Sequence, residues 1–409
     1  MSATARPAVP STPSPVAPSA VPLRQRVSVV DVVRGFIMIL MALDHTRDFF
    51  GDAAVSPTNL ATTSAALFFT RWVTHFCAPT FFLLTGTGAF LSRRRRTVGD
   101  LSRFLLTRGL WLILLELTVA RFFWQFNVDY RLTVLNVLWA LGWAMIVLGV
   151  LVHLPVRAVA AIGVLIIATH NLFDRVSPAA FGSLAPLWTL LHSPGFLTQN
   201  PAHAVFVAYP IIPWIGVSAV GYSLGALWEV PAERRRTTLL RLGVGCIATF
   251  LVLRGFNVYG DPGPWSVQPR GAMTLVSFLN LNKYPPSLLF LLMTLGPAFL
   301  ALGALDGHTP ALLRPAQVVG KVPMFYYLMH IVMLHLVAVG ACLIRFGTVR
   351  PAIESPTIDR FPMTQPPGWP AGLPVVYLVW IGVVVALYPF CRWYAEVKRR
   401  SNNPWLSYL

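Results

Sequence analysis

Long apolar runs, separated by short polar or Pro/Gly-rich breaks, recur from one end of the chain to the other. Each approaches the ~20 residues that an α-helix needs to cross a ~30 Å hydrocarbon layer. The runs predict crossings near 29–50, 66–92, 104–123, 132–152, 156–173, 204–228, 238–256, 283–305, 317–344 and 373–394. The expected fold class is therefore all-α, a polytopic transmembrane helix bundle with about ten spans. Residues 1–23 are Pro, Ala, Ser and Thr with little else to bury, and predict a disordered tail. Residues 24–400 then form the membrane domain, and 401–409 a short C-terminal tail. After the fifth span, a loop ending near Ala202 holds an apolar stretch too short to cross, which predicts an interfacial or re-entrant helix with Trp188 as anchor.

Composition agrees with this pattern. Hydrophobic residues make up 56% of the chain and charged residues 11%, against roughly a quarter charged in soluble domains. A water-soluble fold is excluded on that ground. The net charge of +17 could suggest nucleic acid, but its placement argues against such a partner. Arg24 and Arg26 precede the first span, Arg93 to Arg96 and Arg103 follow the second, Arg234 to Arg236 follow the sixth, and Lys398 to Arg400 follow the last. Basic residues in alternate loops are the positive-inside pattern, so both termini are expected in the cytoplasm and the protein in the inner membrane. Cys77, Cys246, Cys342 and Cys391 stand apart and predict packing rather than disulfides. No metal motif is visible.

Ionisable groups inside a membrane are costly, and so they mark where function is to be sought. The first span is richest in them. At 100° per residue, Asp31, Arg34, Met38, Met41, His45 and Asp48 fall in one stripe. Arg34 and His45 are separated by ~16 Å along the axis. Asp31 can hold Arg34 at i+3, and Asp48 stands at i+3 from His45, where it can fix the tautomer of the ring, with Asp44 as the other choice. A hydroxyl needs a base whose pKa lies near the working pH, and histidine supplies one. His75, His330, Lys283 and Glu116 are further polar positions within spans. Glu116 requires a partner from another helix, and His335 falls mostly on a different face from His330. Arg93, Arg94 and Arg103 could attract a phosphorylated cofactor, although arginines after a helix also set topology by themselves.

An Arg followed by ten residues and a His, within VDVVRGFIMILMALDH, resembles the first helix of the transmembrane acyltransferase superfamily, and APTFFLLTGTGAFLSRRRR resembles its second. LNLNKYPPSLLFLLMTLG and GKVPMFYYLMHIVMLH are similar to bacterial relatives of heparan-alpha-glucosaminide N-acetyltransferase, and the resemblance spans residues 26 to about 340. It implies transfer of an acyl group, commonly acetyl, from cytoplasmic acetyl-CoA or another acyl-CoA to a hydroxyl or amino group of a sugar or glycan at the outer face. His45, with Asp48 or Asp44, would be catalytic, as general base or transient acyl carrier. Arg34, with Arg93, Arg94 and Arg103, would bind the donor, and His75, Lys283, His330 and Glu116 would serve the substrate. The heparan enzyme aligns an Asn with His45. A different class of function, a proton-coupled transporter or flippase, would use the same buried charges. Oligomeric state leaves no mark in the sequence.

Overall fold

The computed structural model describes residues 28–400 other than Pro201, together with Ser401, Asn403 and Leu406. The predicted tail at 1–23 and most of that at 401–409 lie outside the described residues. Each of the ten apolar stretches contains a helix. In chain order the helices are α1 (Ser28–Phe50), α2 (Ala65–Trp72), α3 (Cys77–Arg93), α4 (Val98–Leu115), α5 (Arg121–Gln125), α6 (Val137–Leu151), α7 (Val156–Thr169) and α8 (Ala185–Leu191). There follow α9 (Ile212–Leu224), α10 (Ala232–Phe256), α11 (Gly271–Leu279), α12 (Leu288–Ala304), α13 (Arg314–Lys321), α14 (Pro323–Phe346), α15 (Arg350–Ile353) and α16 (Leu373–Arg400). Five helical runs are long and apolar enough to cross a membrane by length and composition: 65–93, 156–173, 232–256, 323–346 and 373–400. The chain is a helical membrane bundle.

Four expected spans begin differently from the sequence reading. Residues 132–135 form strand β1 (Leu132–Leu135) and residues 204–207 form β3 (Ala204–Val207), joined by β2 (Gly195–Gln199) in a three-stranded sheet. β1 runs parallel to β3, and β2 antiparallel to it. Leu-Thr-Val-Leu and Ala-Val-Phe-Val are apolar and β-branched, so hydropathy counts them as helix while their backbone pairs laterally. Residues 283–287 are loop because Pro285 and Pro286 offer no N–H to a helix, which starts only at Leu288. The ninth stretch is divided at Val322, where φ −130° and ψ 52° leave helical space and Pro323 starts α14. The short stretch after α7 is a 3₁₀ segment, Pro178–Leu184, followed by α8. Trp188 donates from its indole to the carbonyl of Val176 at 3.0 Å. The four cysteines are free, three of them buried.

Two contacts set the frame around the site. α1 and α13 meet backbone to backbone: a Cβ at Gly35 would lie 1.7 Å from the carbonyl oxygen of Ala316, and one at Gly320 1.8 Å from that of Asp31. Only glycine permits so close an approach. Arg254, at the end of α10, is 2% exposed and donates to the carbonyls of Gly263, Ser277, Phe278 and Asn280. One guanidinium thereby gathers the loops on either side of α11. Asp261 completes the arrangement by accepting from Asn282 N–H at 2.9 Å and the Ser287 hydroxyl at 2.6 Å, which fixes the segment carrying Lys283 ahead of α12.

Candidate active site

α1 carries three polar levels along one axis, with Arg34 near its start, His45 deep in the bundle and Arg47 close to its end. His45 is the central level. Its Nδ1 lies 2.7 Å from Nε2 of His330 on α14, with the two rings stacked. Nδ1 of His330 lies 2.8 Å from the carbonyl oxygen of Tyr326, one turn earlier on the same helix. A carbonyl only accepts, so His330 Nδ1 bears the hydrogen. In a neutral ring the other nitrogen, Nε2, is then an acceptor, and His45 must donate to it from Nδ1. The chain of bonds assigns the lone pair of His45 to Nε2, which is the arrangement a general base requires. Trp124 meets the His45 ring edge-on at 4.7 Å, and Tyr327 stands at 6.3 Å. The ring is nevertheless half-buried rather than sealed.

On the side of Arg34 lies a cleft of about 200 Å³ between α1, α3, α4, α6 and α14. Its walls are mainly apolar, with Arg34 and Arg108 among them. Arg34 donates to Asp31 at 3.3 Å and to the carbonyl of Gly320 at 3.0 Å. Met324 and His330 are six residues apart on α14, so the cleft and the histidine pair are ~9 Å apart along its axis.

At the other end of α1 is a cavity of about 630 Å³, bounded by α1, α2, the 3₁₀ turn Val73–Phe76 and the loops held by Arg254. Arg47, Arg71, His75, Lys283 and Tyr284 line it. Asp44, buried next to His45, binds Arg71 directly, with Arg47 at 3.1 Å and Lys283 at 3.7 Å. Three cations thus converge on one carboxylate. His75 is 1% exposed, and its Nδ1 finds no hydrogen-bond partner among the described residues.

The structure sorts the sequence candidates as follows. His45 and His330 come together, and Arg34 lines the cleft. Asp48 is not the orienting partner of His45, because it pairs with Arg47 at 2.6 Å, and Asp44 is engaged by the three cations; His330 takes the orienting place. Glu116, proposed for substrate, has a structural post. It is 2% exposed and accepts from the N–H groups of Leu138 and Trp139 at 2.8 and 3.3 Å. It thus caps α6, whose own N-cap residue Asn136 makes no side-chain bond. Arg93, Arg94 and Arg103 are exposed and do not line the cleft, and Arg94 donates to the carbonyl of Trp228. His335 lies between the carbonyls of Phe123 and Ala352, which places it in packing. His75 and Lys283 share the cavity at the end of α1. Arg47 and Arg71 were missed by the sequence reading, although both are ionisable groups inside apolar stretches, the signal that singled out Arg34 and His45. His170, Asp174 and His192 gather ligand atoms within 4.8 Å of one another, but a ring nitrogen of His192 is already bonded to the His170 carbonyl.

Fold and site together define a polytopic membrane protein with a hydrogen-bonded histidine pair between an apolar cleft and a cationic cavity. The catalytic-domain model of heparan-alpha-glucosaminide N-acetyltransferase matches residues 26–257, more than half of the chain, and the chain belongs to that family. No curated protein matches it significantly. Membership makes it an acetyltransferase-type membrane enzyme. The matched region contains α1 to α10 and hence His45, while His330 and Lys283 come from beyond it.

Proposed function

We propose that the protein transfers an acyl group, acetyl by preference, from cytoplasmic acyl-CoA to a hydroxyl or amino group of a sugar or glycan, with His45 as general base. The observation that carries this reading is the His45–His330–Tyr326 hydrogen-bond chain, which leaves His45 Nε2 as the unprotonated nitrogen. The acceptor gives its proton to that nitrogen as its oxygen or nitrogen attacks the thioester carbonyl. The carbon–sulfur bond breaks, and the CoA thiolate recovers the proton from His45. Such proton transfer contributes typically 10²–10⁴-fold in rate. His330 positions the base and supports its imidazolium form.

The donor enters by the cleft beside Arg34 and Arg108. The ~16 Å from Arg34 to His45 is a distance an extended pantetheine arm spans, so the guanidinium ions meet the phosphate end while the thioester reaches the histidine pair. Apolar walls suit the arm between them. Arg93 to Arg96 raise the local concentration of the polyanionic donor at the mouth and keep their topological role. The acceptor occupies the cavity on the opposite side of His45.

The test is transfer from radiolabelled acetyl-CoA to an envelope glycan extract by the purified full-length protein in nanodiscs. Label moving to the extract with wild type, and lost with His45→Ala, is the expected result. If neither acetyl-CoA nor longer acyl-CoA binds or turns over, the reading fails and the buried charges belong to another activity.

A further inference from the structure

We infer that the cavity at the end of α1 selects an acceptor bearing an anionic group, a carboxylate or a phosphate, next to the hydroxyl or amine that is acylated. The inference rests on the acyl-transfer reading and adds the chemical class of the acceptor to it. Three cations, Arg47, Arg71 and Lys283, line the cavity or its floor, and two carboxylates meet them there, Asp44 and Asp48. Asp261, the remaining acid of the lining, is matched by Arg254 at 3.8 Å. One positive charge is therefore in excess in a place where solvent cannot screen it as it would at a surface.

Two unused polar atoms point the same way. Nη1 of Arg47 and Nδ1 of His75 are both buried, both belong to residues lining the cavity, and neither has a hydrogen-bond partner among the described residues. Arg47 Nη1 is a donor in every state, and such a buried donor left unpaired costs about 1–3 kcal/mol, which an anionic oxygen repays with a charge-assisted bond; His75 Nδ1 joins it in the tautomer that carries its hydrogen there. Lys283 adds a cation whose carboxylate partner among the described residues, at 3.7 Å, is one already shared with two arginines. The smaller adjoining cavity of about 170 Å³ shares Arg47 with the main one but is acidic on balance, with Asp48, Asp52 and Asp359 in its wall. An anion is repelled there and directed to the Arg71–Lys283 side. At about 630 Å³ the main cavity accommodates a monosaccharide with its charged substituent, or the headgroup of a lipid.

The experiment measures equilibrium binding of radiolabelled glucosamine 6-phosphate and glucuronate, against glucosamine and glucose, to the full chain in phosphatidylcholine nanodiscs. Acidic sugars are expected to bind at least tenfold more tightly than neutral ones, and Lys283→Gln to lose that tenfold while Lys283→Arg retains it. Thermal midpoints and acetyl-CoA binding of each variant show whether the bundle is intact. Phosphatidylglycerol nanodiscs separate the two sources of the anion: competition identifies a lipid headgroup, and its absence a free acidic sugar. Equal binding of acidic and neutral sugars, or undiminished preference in Lys283→Gln, overturns the inference. Failure of acetyl-CoA to bind at all overturns the acyl-transfer reading instead, so the two failures are distinguishable.

Discussion

The two ends of α1 solve the problem of a buried arginine in opposite ways. Arg34 sits in a mostly apolar cleft and is held by a carboxylate on its own helix and a backbone carbonyl of α13. Arg47 belongs to a cluster in which Arg71 from α2 and Lys283 from the loop before α12 share Asp44 with it. The first arrangement is local and leaves a long narrow space, the second is tertiary and leaves a broad polar one. The difference teaches that the charges were not placed to anchor a helix symmetrically in a bilayer. On the acyl-transfer reading proposed above, each end takes a different molecule, and the histidine pair lies between the two.

Five substitutions break or sharpen this contrast. The largest effect is expected from His45→Ala, which removes the group common to both ends: transfer falls by roughly 10²–10⁴-fold, while acetyl-CoA binding by equilibrium dialysis is unchanged. Asp44→Ala strands Arg71 and Lys283, while Arg47 keeps Asp48, and should cost about 3–5 kcal/mol of stability, read as a fall in thermal midpoint in detergent. Asp31→Ala, the corresponding change at the other end, should cost clearly less, because Arg34 keeps its bond to Gly320. Equal losses would show that the two ends are built alike after all. Arg34→Gln should raise KM for acetyl-CoA about tenfold, the loss of roughly one charge-assisted hydrogen bond, and leave KM for the acceptor alone. The smallest effect is that of Glu116→Gln, about 1 kcal/mol from a weakened α6 cap with both KM values unaltered; a changed acceptor KM would return Glu116 to the site.

Much of the bundle was legible because lipid imposes a strong rule, that apolar runs of sufficient length become helices. The rule does not distinguish a helix from the strand or proline-rich loop that leads into it, and hence residues 132–135, 204–207 and 283–287 were assigned to spans. At the site, periodicity along α1 correctly put Arg34 and His45 on one stripe and paired Asp31 with Arg34, since those relations lie within a single helix. The partner of His45 is 285 residues away, and no spacing rule reaches that far. Asp48 stands at i+3 from His45 and so was favoured, whereas Arg47 beside it takes up its charge. Glu116 was rightly read as needing a partner from elsewhere. That partner is the buried N-terminus of α6, whose free N–H groups are a backbone feature with no side-chain signature.

The glycine contact between α1 and α13 has a mechanical consequence for catalysis. With Gly35 and Gly320 in backbone contact, α1 is keyed to α13, and through the break at Val322 to α14, three turns below the histidines. Sliding α1 by a single residue would shift His45 by ~1.5 Å, enough to part the bond to His330. The helix that carries the base therefore works as a fixed post and not as a piston. Under the proposed reaction, donor and acceptor must therefore bring their reactive ends to a stationary point.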